Sequence, residues 1–190
     1  MSSIDTSVAR GANRFAAHHD TWEDVAGLYA AASQYLFAGL CAVLIVAGLL
    51  TRHTALAVAG ALAGVAAGSS LVVAHVIAGA VDRQRPFAGN PQIHAFLHHA
   101  ADGSFPSEHA TAAFAIAGVL LMRLGWRWWP VLVAAVLLAV ARVLLGLHYP
   151  LDVTAGAALG LGAAWAVCAL ARLPALPAAV RGAPAQVTEA

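Results

Sequence analysis

Long apolar segments, interrupted only where ionisable residues gather at their ends, fix what this chain can fold into. A bilayer crossing takes about 20 mostly apolar residues. Four segments approach or meet that length: Tyr35 to Leu50 with its preceding alanines, Ala55 to Val81, Trp128 to Leu147, and Val153 to Leu173. A fifth, His109 to Leu124, is shorter, and its polar start belongs to the membrane interface. Only 10% of residues are charged and the mean hydropathy is +0.78, whereas a soluble domain carries roughly 25% charged residues. The sequence therefore predicts an all-α integral membrane bundle of about five transmembrane helices.

Composition also excludes some classes. A net charge of +1 gives no concentrated basic surface, so no nucleic-acid partner is expected. Cys41 and Cys168 lie inside apolar runs, where a small apolar role is the default and no disulfide framework is indicated. The polar N-terminal residues argue against a separate cleavable signal peptide.

Residues 1–34 are expected to form an N-terminal segment, 35–173 the membrane domain, and 174–190, with Pro174, Pro177 and Pro184, a disordered tail. From Asn13 to Ser33, charged residues alternate with Phe15, Trp22, Val25, Leu28 and Tyr29 at helical spacing. That predicts an amphipathic helix lying in the interface. Arg52, Arg123, Arg127, Arg172 and Arg181 fall on one side of a five-span topology, which the positive-inside rule makes cytoplasmic. The N-terminus is then outside and the C-terminus inside. Gly60, Gly64 and Gly68, and likewise Gly156 and Gly160, repeat at the four-residue spacing that lets membrane helices approach closely.

Three polar clusters fall on the outer side: Arg83-Gln84-Arg85-Pro86, Phe105-Pro106-Ser107-Glu108-His109, and Arg142 followed by His148-Tyr149-Pro150-Leu151-Asp152. Ionisable groups are costly beside a bilayer, so their conjunction at span ends points to a site. Gly146 lets a helix stop and Pro150 favours a new start, placing His148 in the turn. Asp152, four residues on, can fold back to one imidazole nitrogen and leave the other as a nucleophile. His109 suits general acid and base work. Ser107 and the helix start after Pro106 can offer donors to a phosphate oxygen. Arg85 and Arg142 can clamp phosphoryl oxygens.

Arg142, five residues, His148, three residues, Asp152 resembles the third signature of the type 2 phosphatidic acid phosphatase superfamily. Pro106-Ser107-x-His109 resembles its second and Arg85-Pro86 the end of its first. With His99-x-x-Asp102-x-Ser104 ahead and Glu108 within, the chain looks like the bacterial undecaprenyl-diphosphatases of the bacitracin-resistance type. The resemblance implies a multi-pass enzyme of the bacterial plasma membrane, its site at the outer leaflet. It implies a phosphohistidine on His148 supported by Asp152, with His109 as acid and then base. Arg85, Ser107 and Arg142 would hold phosphate, and no metal or other cofactor is required. The first signature normally begins with a lysine where this chain has Ala78, and Arg83 is the nearest replacement. Glu108 would either repel phosphate or pair with Arg83 or Arg85.

The expected activity is removal of the terminal phosphate from a polyprenyl diphosphate, recycling a lipid carrier for cell-envelope polymers. Phosphatidate or phosphatidylglycerol phosphate as substrate, and a catalytically silent protein that binds or flips lipid phosphate, are the alternatives. His94, His98, His99 and Asp102 form a weaker candidate metal set.

Overall fold

The computed structural model describes residues 3–98, 100, 102–172 and 180. These form seven α-helices: α1 Ser3–Ala17, α2 Asp20–Leu50, α3 Thr54–Val81, the short α4 Pro86–Gly89, α5 Glu108–Leu124, α6 Trp129–Leu144 and α7 Pro150–Leu170, with a 3-10 turn at Trp126–Trp128. Four helical stretches are long and apolar enough to cross a membrane: Asp20–Leu50, Thr54–Gly89, Trp126–Leu144 and Pro150–Leu170. Helix α5, 17 residues long, extends about 25 Å, at the short end of a crossing. It is the central helix, packed against α3, α6 and α7.

The radial distribution of side chains is that of a membrane bundle. Buried positions on α5 are mostly small, among them Ala110, Ala113, Ala115, Ala117 and Gly118, while Leu36, Val43, Leu50, Val72, Val76 and Trp165 face outward. Lipid is as apolar as leucine, so close backbone packing rather than burial of large side chains brings such helices together. The α5–α7 contact is the tightest case. A Cβ at Gly160 would lie 2.2 Å from the Thr111 carbonyl oxygen, and one at Gly156 would lie 2.6 Å from that of Ser107. Gly160→Val is therefore expected to force these helices apart at a cost of about 3 kcal/mol or more, read as a lowered thermal midpoint in detergent. An unchanged midpoint would contradict the packing described.

The glycine repeat of α3 behaves differently from expectation. Gly60 does pack on α2, its Cβ position 2.8 Å from the Cys41 carbonyl oxygen, but among the described residues no atom beyond its own helix backbone lies within 4 Å of that position at Gly64 or Gly68. Two of the three glycines thus face open space.

The N-terminal region also departs from expectation. The amphipathic helix is α1, and the stretch from Asp20 to Ser33 continues without a break into the first span. The chain breaks at His18 and His19, so the pattern over 13–33 belongs to two helices. Trp22, Val25 and Leu28 point outward and Ala26, Gly27 and Ala30 inward, an arrangement whose apolar face meets lipid. Helix α1 instead packs against α2, α6 and α7. The fourth span ends at Leu144 rather than Leu147, and the fifth begins at Pro150 rather than Val153. Gly146, at φ +73°, adopts the left-handed conformation that glycine reaches without strain. Of the tail, only Val180 is described, its carbonyl accepting from Arg123 Nη2 at 2.6 Å; the rest lies outside the described residues.

Candidate active site

The C-terminal ends of α3 and α6 and the N-terminal ends of α5 and α7 converge at one end of the bundle, around a pocket of about 290 Å³. The arginine-bearing turns at Arg52, Arg123, Arg127 and Arg172 belong to the opposite helix ends. Arg85, Arg142, His148 and His109 line the pocket together.

His148 is buried in the turn before α7. Its Nδ1 lies 2.8 Å from the Ser104 carbonyl oxygen and 3.8 Å from Asp152 Oδ2. A carbonyl only accepts, so Nδ1 carries the hydrogen and Nε2 of the neutral ring presents its lone pair. That Nε2 stands 3.2 Å from Arg85 Nη1 and 3.4 Å from Arg142 Nη2. Sequence spacing assigned the orienting role to Asp152. In the fold a backbone carbonyl holds the ring, and the carboxylate is an electrostatic neighbour.

Asp152 has other partners besides the imidazole. Its Oδ2 accepts from the Tyr149 backbone N–H at 2.8 Å, completing a capping box, and its Oδ1 accepts from Arg83 Nη1 at 2.6 Å. Arg83 also pairs with Asp5 of α1 and lies over the Tyr149 ring, 4.4 Å from its centroid. Burial raises the Tyr149 hydroxyl above its ordinary range, so the ring is neutral under that guanidinium. Arg83 does not line the pocket; it braces Asp152 from behind. The wall where the sequence sought a replacement cation carries Ala78 itself, with His75 one turn earlier. His75 Nδ1 lies 3.9 Å from Glu108 Oε1, so Glu108 answers to a histidine and not to Arg83 or Arg85.

Arg85 is held along its length. Its Nε donates to Asp102 Oδ1 at 2.7 Å and its Nη1 to the Leu147 carbonyl at 3.0 Å. Arg142 is only 3% exposed, and its Nε has no hydrogen-bond partner among the described residues. A buried N–H left unpaired is costly, and an oxyanion in this pocket would supply its partner. Ser107 sits below the pocket wall, wholly buried. Its hydroxyl caps α5 by accepting from the Ala110 N–H at 3.5 Å, and its own N–H donates to the Asp152 carbonyl at 3.0 Å.

Sequence reasoning missed four contributors. The Ser104 carbonyl orients His148, and Asp102 fixes Arg85. Asp5 accepts from Arg83 and, through Oδ1, from the Leu151 N–H at 3.0 Å. Asn13 ties α1 to the loop before α5 and to the end of α6, donating to the His94 and Leu144 carbonyls and accepting from the His94 N–H. Asp102 was considered only as a metal ligand and Ser104 only as part of a motif, and no short motif marked Asp5 or Asn13. Among the described residues no three His, Cys, Asp or Glu side chains group as a metal site. Of the candidate histidine set, His99 lies outside those residues.

Residues 54–173, well over half of the chain, match the sequence profile described as the PAP2 superfamily. The undecaprenyl-diphosphatase BcrC of Bacillus subtilis is 37% identical over 91 residues, covering 48% of this chain and 47% of that protein. The chain thus spans about half the length of that relative. YbjG of Escherichia coli is 40% identical over 134 residues, covering 63% of this chain and 67% of the relative. The crystal structure of Aquifex aeolicus LpxE superposes with a TM-score of 0.72 at 21% identity, over 87% of this chain and 95% of that one; at that identity the likeness concerns the fold.

Proposed function

The chain belongs to the PAP2 superfamily of membrane phosphatases, and from that premise we propose that it removes the terminal phosphate of a polyprenyl diphosphate through a phosphohistidine on His148. The observation that carries this reading is the state of His148: Nδ1–H bonded to a carbonyl, and Nε2 presented between two guanidinium groups inside the pocket.

In the first half-reaction the Nε2 lone pair attacks the terminal phosphorus. The bond from phosphorus to the bridging oxygen breaks, and protonated His109 delivers a proton to the departing polyprenyl monophosphate. Arg85 and Arg142, turning from Nε2 to the phosphoryl oxygens, stabilise charge as it shifts in the transition state. The phosphorylated ring is cationic while Nδ1–H is retained, and Asp152 nearby offsets that charge. In the second half-reaction His109 takes a proton from water, which attacks phosphorus and releases inorganic phosphate, restoring His148. These protein groups are sufficient for the chemistry, so the proposed reaction needs no metal.

The substrate assignment is supported by the similarity to BcrC, whose name specifies an undecaprenyl diphosphate. A role in recycling the lipid carrier of cell-envelope synthesis, at the outer face of the bacterial plasma membrane, is part of this proposal; that substrate and the arginines gathered at the helix ends opposite the pocket support it. The test is phosphate release by the purified full chain in detergent, with polyprenyl diphosphate and phosphatidate in parallel, each with and without EDTA. Release from the diphosphate that EDTA does not diminish is the expected result. Faster release from phosphatidate would move the substrate, and folded protein inert towards both would leave a lipid-phosphate binder.

A further inference from the structure

Of two apolar grooves lined by described residues, one adjoins the phosphate pocket. The groove beside α1, α6 and α7 has no lining residue in common with that pocket. The other, about 360 Å³, lies between α2, α3 and α5, and His109 lines both it and the pocket. On α5 its wall runs from His109 to Ile116, about 10 Å along the axis and directed away from the pocket into the bundle.

This space lies beyond the close contacts of α2 with α3. Where the two helices join, they touch: a Cβ at Gly48 would lie 2.4 Å from the Ala57 nitrogen, and one at Gly60 2.8 Å from the Cys41 carbonyl oxygen. One turn nearer the pocket, at Gly64, that position has no neighbour within 4 Å. Gly64, Ala38 and Gln34 line the groove and are exposed, so it opens sideways to lipid. A glycine costs about 1 kcal/mol against alanine within a helix, and close packing does not account for it here.

We propose that this groove holds the first isoprene units of the substrate's hydrocarbon chain, with the diphosphate in the adjoining pocket and Gly64 at the far wall. The inference rests on the phosphatase reading and specifies how that site takes its lipid. Moving an apolar chain from lipid into an apolar groove gains little affinity, since both surroundings are apolar. The gain is orientational: a chain held from His109 inward fixes the direction from which the phosphorus faces His148 Nε2. The groove is only as long as the first few units of a polyprenol, so length is sensed near the headgroup and ignored beyond it.

The experiment measures kcat/KM of the full chain for dimethylallyl, farnesyl and undecaprenyl diphosphates. Gly64→Leu and Ala38→Leu fill the groove from facing helices, and Ala157→Leu places the same side chain in the other groove. The first two are expected to lower the farnesyl-to-dimethylallyl ratio about tenfold, with undecaprenyl diphosphate falling in step with farnesyl. Ala157→Leu should leave the ratio as in the parent chain. An unchanged ratio in both groove variants, an equal loss on all three substrates, or a ratio that shifts in Ala157→Leu instead would each overturn the assignment. A parent chain that hydrolyses none of the three would overturn the phosphatase reading and this one with it; turnover with an unaltered ratio overturns the groove alone.

Discussion

His148→Ala is expected to reduce phosphate release at least 10³-fold, the scale of losing a covalent nucleophile, while the protein stays folded. The ring is buried among polar partners, and its removal leaves Arg85 with the Leu147 carbonyl and Asp102. The bundle, held mainly by α5 against α3 and α7, does not depend on it. A comparable thermal midpoint beside lost turnover separates chemistry from folding. His109→Ala carries the complementary expectation. Without its base the second half-reaction slows, and brief incubation with terminally labelled substrate should leave phosphate on the protein. That label should be acid-labile and stable to base, as a phosphoramidate is, and absent when His148 is also replaced. Activity in His148→Ala within tenfold of the parent chain would remove the histidine from the mechanism.

Asp5→Ala should be nearly as damaging, although Asp5 does not line the pocket. Its carboxylate is 5% exposed and pairs with Arg83, whose other arm reaches Asp152 at 2.6 Å. Removing one member of a buried ion pair typically costs about 3–5 kcal/mol, because the partner stays behind uncompensated. Arg83 would then pull on Asp152 alone, and the turn carrying His148 would also lose the anchor from the Leu151 N–H to Asp5. The expected result is a lowered thermal midpoint together with a reduced kcat. Asp5→Asn, which keeps an acceptor for Leu151 N–H, should recover part of both. The double variant Asp5→Ala with Arg83→Ala should be less destabilised than the two single losses added together, since the orphaned charge is gone. Additive losses would show that the three groups do not act as a unit.

The sequence made the residues of the pocket wall legible and the scaffold behind them much less so. Arg85, His109, Arg142 and His148 stood out because charge at the end of an apolar run is costly and therefore conspicuous. Asp5 and Asn13 are ordinary polar residues in a polar stretch, and their significance comes from partners 78 to 146 residues away. No local periodicity encodes that. Asp152 was identified beside His148, its Oδ2 3.8 Å from Nδ1, but the spacing did not reveal that the start of α7 also uses the carboxylate in a capping box. A backbone carbonyl such as that of Ser104 has no residue signature at all. The α3 glycines followed a packing rule at Gly60 and departed from it at Gly64, because the rule says where helices can approach and not where they diverge.

The hold of α1 on the site sets an order of events during synthesis. This helix leaves the ribosome before the groups it grips, Arg83, His94, Leu144 and Leu151, are made. Until α7 begins to enter the membrane, Asp5 lacks Leu151 and its link through Arg83 to Asp152, and the turn bearing His148 has nothing to close against. On the proposed mechanism, turnover is expected only once α7 has arrived.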